Sequence, residues 1–254
     1  MATNPQATVQ LPPPYQSLQP LSSSAHAGFG MLTERTTLEF ARTMNVIPLV
    51  TDEIRDAQRH YPIVFSTGDT SMPLALVGLT EGQNQFIEAD GTWRKGCYIP
   101  AYIRRYPFVL ARLSPDAAEM TLCFDDTSPE IGEGRGSALF ANGEASDVTK
   151  NILKFCEDYE QAMGRTRFFA EELKKADLLM DGEVTIQNDN MAQPAVYRGF
   201  RMVSEQKILD LRGDQARKLV QNGALPLIYA HLMSLSLITQ LFAEGQQQQA
   251  MQLQ

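Results

Sequence analysis

The sequence predicts an α+β fold, with a mainly antiparallel β N-terminal half packed with a helical C-terminal half. Three observations lead there. Short apolar runs bounded by Gly, Pro and Asp fill residues 45–124. An apolar stripe at helical spacing begins near Asp147. And one phrase occurs twice, as Arg59-His60-Tyr61-Pro62-Ile63-Val64-Phe65 and as Arg104-Arg105-Tyr106-Pro107-Phe108-Val109-Leu110. Each copy leads to a second apolar run, Leu74 to Leu79 or Met120 to Phe124. Each then reaches a Phe and a turn dipeptide: Phe86 with Asp90-Gly91, and Phe140 with Asn142-Gly143. The repetition suggests two related helix–strand–turn–strand units.

Taken in order, residues 1–30 are rich in Pro, Gln, Ser and Thr and read as a disordered tail. Within it, Pro12-Pro13-Pro14-Tyr15 matches the pattern read by aromatic grooves that bind polyproline helices. A chance match in a Pro-rich stretch is the favoured reading. A single domain is expected over residues 31–243, β-rich over 45–145 and helix-rich over 147–243. A polar tail is expected over 244–254.

Strands are expected at Tyr61–Ser66, Leu74–Thr80, Gln85–Glu88, Phe108–Leu113 and Glu119–Asp125. Short helices are expected at Asp52–Arg59 and Pro100–Arg105, the latter with Pro100 in its first turn. Tyr-Pro suits the helix–strand junction, because Pro disfavours helical geometry in the residue before it. Residues 126–146 hold several Gly, Ser and Glu and read as a loop.

Asp147–Leu173 reads as a long amphipathic helix, with Val148, Ile152, Phe155, Tyr159, Met163, Phe169 and Leu173 on one face. Gly164 sits inside it at a cost of about 1 kcal/mol relative to Ala. Val184–Ile186 and Ala195–Val203 read as strands. Asp214 is a suitable N-cap and Gly223 a suitable stop for a helix between them. Leu225–Phe242 is the last helix, with Pro226 in its first turn.

Composition bounds the function. The chain is 43% hydrophobic and 20% charged, enough to bury a sizeable core. Its net charge of −8 disfavours nonspecific attachment to nucleic acid or anionic membrane. Cys97, Cys123 and Cys156 form no disulfide framework and no pair with metal-ligand spacing. Three reduced thiols and no secretory signal point to the cytoplasm. The last helix carries no formal charge but falls short of the roughly 20 apolar residues a span needs. It also holds His231, Ser234 and Ser236, so it reads as a core helix and no membrane span is expected. No metal or cofactor is expected.

Several stretches then take on a familiar order. Tyr61-Pro62-Ile63-Val64-Phe65, Leu76-Val77-Gly78-Leu79, Glu81-Gly82-Gln83-Asn84 and Asp90-Gly91-Thr92-Trp93 come first. Ile99-Pro100-Ala101-Tyr102-Ile103-Arg104-Arg105-Tyr106-Pro107-Phe108 and Leu227-Ile228-Tyr229-Ala230-His231-Leu232 follow. The series resembles the bacterial SapC family over residues 45–242. The resemblance implies an association with a surface-layer protein system through the family name, and supplies no catalytic residues. The peptide-transport label of some members implies a permease, which needs several apolar spans that this chain lacks.

Arg104, Arg105 and Tyr106 are the strongest polar cluster. Arg presents a planar fork for carboxylate or phosphate, and Tyr adds a hydroxyl or a stacking face. The structural alternative is that one Arg pairs internally and the other is solvated. Gln83 and Asn84 offer amides to a ligand, but their Gly-containing phrase reads more simply as a tight turn. Asp125-Asp126 with Glu130 and Glu133 reads as a solvated acidic loop, without calcium-loop spacing. His231 beside Tyr229 is a candidate base. A lone His on a core helix is more often hydrogen-bonded and inert.

The leading expectation is a cytoplasmic, non-catalytic accessory or binding protein. It would recognise an acidic small ligand or partner segment through Arg104, Arg105, Tyr106, Gln83 and Asn84. The alternatives are an enzyme drawing on Arg104, Tyr106, Asp125 and His231, or a component of surface-layer production or assembly.

Overall fold

The computed structural model describes residues 11–34, 37–114, 116–117, 119–186 and 194–252. The fold is α+β, with 36% helix and 23% strand. The chain divides into two compact units. The first comprises Met1–Arg35 and Arg105–Cys156, the second Thr36–Arg104 and Glu157–Gln254.

The first unit takes in the N-terminal segment. The segment expected to be a tail forms β1 (Leu18–Pro20) and β2 (Phe29–Met31). Strand β1 pairs antiparallel with β7 (Thr121–Asp125), which pairs with β6 (Phe108–Ala111). Strand β2 lies between β8 (Ile131–Glu133) and β9 (Ser137–Ala138). Tyr15, the last residue of the Pro-Pro-Pro-Tyr phrase, is buried and donates its hydroxyl to the Phe108 carbonyl at 2.8 Å. A groove-binding domain would find that ring inside the protein.

The expected loop over 126–146 is also partly strand. Besides β8 and β9 it holds the hairpin of β10 (Phe140–Ala141) and β11 (Glu144–Ala145). Asn142 and Gly143 turn that hairpin with φ of 53° and 81°, the double left-handed turn that Asn-Gly favours. The glycines that make the stretch look irregular let backbones meet. A Cβ on Gly136 would lie 2.2 Å from the Met31 carbonyl oxygen. Phe108, Phe124, Ile131, Leu139 and Cys156 form the core, with Phe29 and Met31 packed against it. That burial binds Phe29 and Met31, at and just past the end of the expected tail, into the unit.

The second unit is built on a five-stranded antiparallel sheet in the order β12-β13-β4-β5-β3. Its strands are β3 (Val46–Pro48), β4 (Ile63–Phe65), β5 (Pro73–Leu76), β12 (Leu179–Ile186) and β13 (Ala195–Val203). The run expected to continue to Thr80 leaves the sheet after Leu76, and the one at Gln85–Glu88 keeps a single bridge, Ile87 to Trp93. A 3₁₀ turn at Thr51–Glu53 leads into α1 (Ile54–Ala57), and α2 (Ala101–Arg105) follows Pro100.

Both Tyr-Pro phrases therefore carry the expected helix, strand, turn and strand. They do so in different sheets, β4 with β5 and β6 with β7.

Helix α3 (Asp147–Lys175) runs unbroken through Gly164. Helices α4 (Glu205–Leu209) and α5 (Gly213–Gln221) follow β13. Arg212, not Asp214, caps α5, because the Gln215 side chain accepts the Arg212 N–H. Gly223 ends the segment at φ 76°, as its position suggested. The expected last helix is two, α6 (Ala224–Ser234) and α7 (Leu237–Gln252), and α7 includes most of the expected polar tail.

Helix α6 explains how the sheet is held. Strands β4 and β13 share only the pair Phe65–Arg201. Beyond it the backbone groups are met by side chains. The Val203 N–H donates to His231 Nε2 at 3.0 Å, so the ring proton lies on Nδ1, which donates to the Ile63 carbonyl at 2.7 Å. The Ile63 N–H donates to Ser234 Oγ at 2.9 Å. Residues Ala224–Gln248 are long and apolar enough in composition to cross a membrane. Within the unit their inward side, with Ile228, His231, Ser234, Ile238 and Leu241, is buried.

Burial pushes the His231 pKa down to about 4. The unfolded value is near 6.5, so the full contribution is present above about pH 6.5 and is lost as pH falls through about 4. Wild type is expected to lose about 1.4 kcal/mol per pH unit across that window relative to His231→Leu. At pH 7.5 the same substitution costs about 2–4 kcal/mol, since it strands the Val203 N–H and the Ile63 carbonyl. Urea unfolding at a series of pH values measures both.

Candidate functional site

The second unit contains a cleft of about 680 Å³. Local hydrogen bonds build its walls. The Thr51 N–H donates to Thr166 Oγ1 at 2.9 Å, which pins the 3₁₀ turn to α3. Thr166 in turn donates to the Ala162 carbonyl at 2.7 Å. This sets Asp52 and Arg55 across from Arg165 and Phe168, while Asn222, Gly223 and Leu227 line the side at the start of α6. Phe169 is buried and Phe168 is 54% exposed, so one aromatic belongs to the core and the next to the opening. Gly164 widens the cleft, since a Cβ there would meet nothing within 4 Å.

The charges in the cleft are unequal in their commitments. Arg165 grips Asp52 with two hydrogen bonds, 3.1 Å from Nε and 2.6 Å from Nη2. That fork holds the Asp52 carboxyl below its usual range. Lys218 and Lys175 do the same to Glu172, which also accepts from Asn222 Nδ2 at 3.3 Å. Both carboxylates are thus neutralised by cations. Arg55 is exposed and has no ion-pair partner among the described residues. The lining of the opening thus includes an exposed cationic fork and an exposed aromatic ring.

The cluster expected from the sequence divides. Arg104 is exposed and lies 5.6 Å over the Tyr98 ring. It donates to the Ile99 carbonyl at 3.0 Å and the Tyr98 hydroxyl at 3.1 Å. Arg105 is buried, with its guanidinium 5.9 Å from the Tyr15 ring. Tyr106 is buried against the same ring at 5.4 Å. Burial pushes its hydroxyl pKa up to about 12, helped by the Asp125 charge.

Asp125 is wholly buried and holds the chain in place. Its oxygens accept the N–H groups of Gln16 at 2.8 Å and Ser17 at 3.3 Å, and the Thr127 hydroxyl at 2.7 Å. His231 is fully used between Ile63 and Val203. Tyr106 and Asp125 are therefore brought together, while His231 serves the backbone of β4 and β13 and Arg104 serves Tyr98 and Ile99. Gln83 is exposed on a tight turn, and Asn84 is buried, donating to the Ala41 carbonyl at 3.0 Å. Among the described residues no group of three or more His, Cys, Asp or Glu is placed to hold a metal ion.

Sequence reasoning missed two things. Glu53 is buried and accepts from Val50 N at 2.9 Å, Ala101 N at 2.7 Å and the Tyr98 hydroxyl at 3.0 Å. Desolvation pushes its pKa up, against those hydrogen bonds. The cleft residues Asp52, Arg55, Arg165 and Phe168 were missed too. Their signal was Gly164 and Phe168, four apart and off the apolar stripe of α3.

The family model described as SapC matches residues 21–241. The chain belongs to the SapC family. The SapC match takes in β2 and the whole cleft, beginning well before the repeated phrases that first suggested it. No curated protein and no solved structure matches this SapC chain.

Gly164→Ala is expected to stabilise the protein by about 1 kcal/mol, or about 2–4 °C in the thermal midpoint. The helix is regular there and the added methyl meets open space. Calorimetry checks this, and a destabilised variant would show that the glycine serves the packing of α3.

Proposed function

We propose that this SapC-family chain is a non-catalytic binding protein for a small acidic ligand with an apolar body. The observation that carries the reading is the cleft, whose lining includes both the exposed Arg55 and the exposed Phe168. Its volume suits a small molecule, for which sites of roughly 300–1,000 Å³ are usual. An anionic head pairs with Arg55, and the body covers Phe168 and Leu227. The pairing of Asp52 with Arg165 removes one carboxylate that would repel such a head.

Arg104 is a second, smaller candidate, because the residue is exposed and its guanidinium lies over the Tyr98 ring. A cytoplasmic location is part of the proposal, supported by the three free thiols. A role as a cytoplasmic helper in surface-layer production is compatible with it and rests on the family name alone.

Native mass spectrometry on the full chain purified gently from its own cells tests the reading. Wild type is expected to carry an added small-molecule mass. Arg55→Glu combined with Phe168→Ala is expected to lower its occupancy by about tenfold or more while the thermal midpoint moves by less than about 3 °C. Occupancy unchanged in that variant but lost in Arg104→Glu transfers recognition to Arg104. Occupancy unchanged in both overturns the assignment.

A further inference from the structure

We infer that this chain forms a symmetric homodimer through an antiparallel helix pair centred on Ser236. The surface concerned is the outward side of α6 and α7. From Gly223 to Ala243 there is no Asp, Glu, Lys or Arg, in a chain whose net charge is −8. Only 33% of the apolar window in Ala224–Gln248 is buried within the protein. A helix this apolar inside a single folded unit is ordinarily a core helix and mostly covered. Here Met233 is 69% exposed and Tyr229 37%.

The exposed positions are ordered. Pro226, Tyr229, Met233, Ser236, Gln240 and Ala243 all face outward, and they are spaced by alternating steps of three and four. That is the period of a seam between two helices, in which each side chain enters a hole on the facing helix. The 3₁₀-type bonds at the junction, Leu235 N–H to Leu232 O and Ile238 N–H to Leu235 O, carry the stripe from α6 into α7. A strip of this width and period fits a helix.

The stripe is complementary to itself. With a twofold axis at Ser236, Tyr229 lies opposite the partner's Ala243, and Met233 opposite the partner's Thr239 with the partner's Gln240 next to it. Large residues then meet smaller ones, and Ser236 meets its own copy, where small side chains allow close approach. An isologous interface requires this kind of self-matching. Charge selects the same occupant. Two copies of an acidic chain repel over most of their surfaces, and an uncharged stripe lets them approach without that cost. A membrane is disfavoured, because helices that lie in the lipid interface carry Lys and Arg on their polar side and this stretch has none. Between Tyr229 and Ala243 the seam is about 21 Å long at 1.5 Å per residue. Such a short contact gives a concentration-dependent dimer.

Sedimentation velocity of the full chain, from low micromolar to about 100 µM, is the test. A monomer–dimer equilibrium is expected. Ser236→Glu sets two carboxylates against each other at the axis, and Ala243→Glu sets one against the partner's Tyr229. Each is expected to weaken association by about tenfold or more with helical circular dichroism unchanged. Thr70→Glu, in the exposed turn after β4, is expected to change it by less than about twofold. A chain that stays monomeric throughout, or a dimer that both seam variants leave intact, overturns the proposal. A monomer that co-sediments with phosphatidylcholine vesicles also overturns it, and assigns the stripe to a lipid surface.

Discussion

Strand β4 is three residues long and central, and the five-stranded sheet depends on how its edge towards β13 is satisfied. On one side it pairs with β5 in the ordinary way. On the other, the Ile63 N–H and carbonyl reach Ser234 and His231 of α6. The imidazole continues to the Val203 N–H, so one side chain bridges the two strands beyond their single ladder pair. The bridge works only with a neutral ring. A protonated ring would present a second donor to the Val203 N–H and leave a charge in the core. The most base-like residue in the sequence is therefore occupied by architecture.

The cleft grows from the same economy. Three successive residues point to three different tasks. Thr51 fastens the turn to α3, Asp52 pairs with Arg165 at the surface, and Glu53 turns inward to the first N–H of α2. A buried carboxylate is costly, and its stabilisation comes from several donors at once. Tyr98 relays this to Arg104, whose position is thus linked to the wall of the cleft through hydrogen bonds within the second unit.

Much of the fold was legible because its signals are local. Asn142-Gly143, Gly223 and the stripe on α3 act within a few residues, and each is where its chemistry requires. The repeated Tyr-Pro phrase correctly announced two helix–strand–turn–strand units. What was not legible depends on distant partners. Residues 18–31 look unstructured because three-residue strands carry little pattern, and they become strands through β7, β8 and β9, about a hundred residues away. Arg105 and Tyr106 looked like recognition residues because polar side chains in sequence give no direction. Burial against Tyr15, itself placed in a supposed tail, turns them inward. The cleft was hidden for the same reason, since Asp52 and Arg165 are 113 positions apart.

The N-terminal strands also carry a consequence for the order of synthesis. Strands β1 and β2 leave the ribosome roughly a hundred residues before the strands they pair with. During that interval they are unpaired edges, the kind of segment that adheres to other chains. Their composition suits the wait. The first 33 residues are poor in long apolar runs, and Pro20 closes β1. The low complexity that resembles a tail is also what keeps a nascent strand unattractive until its partner arrives.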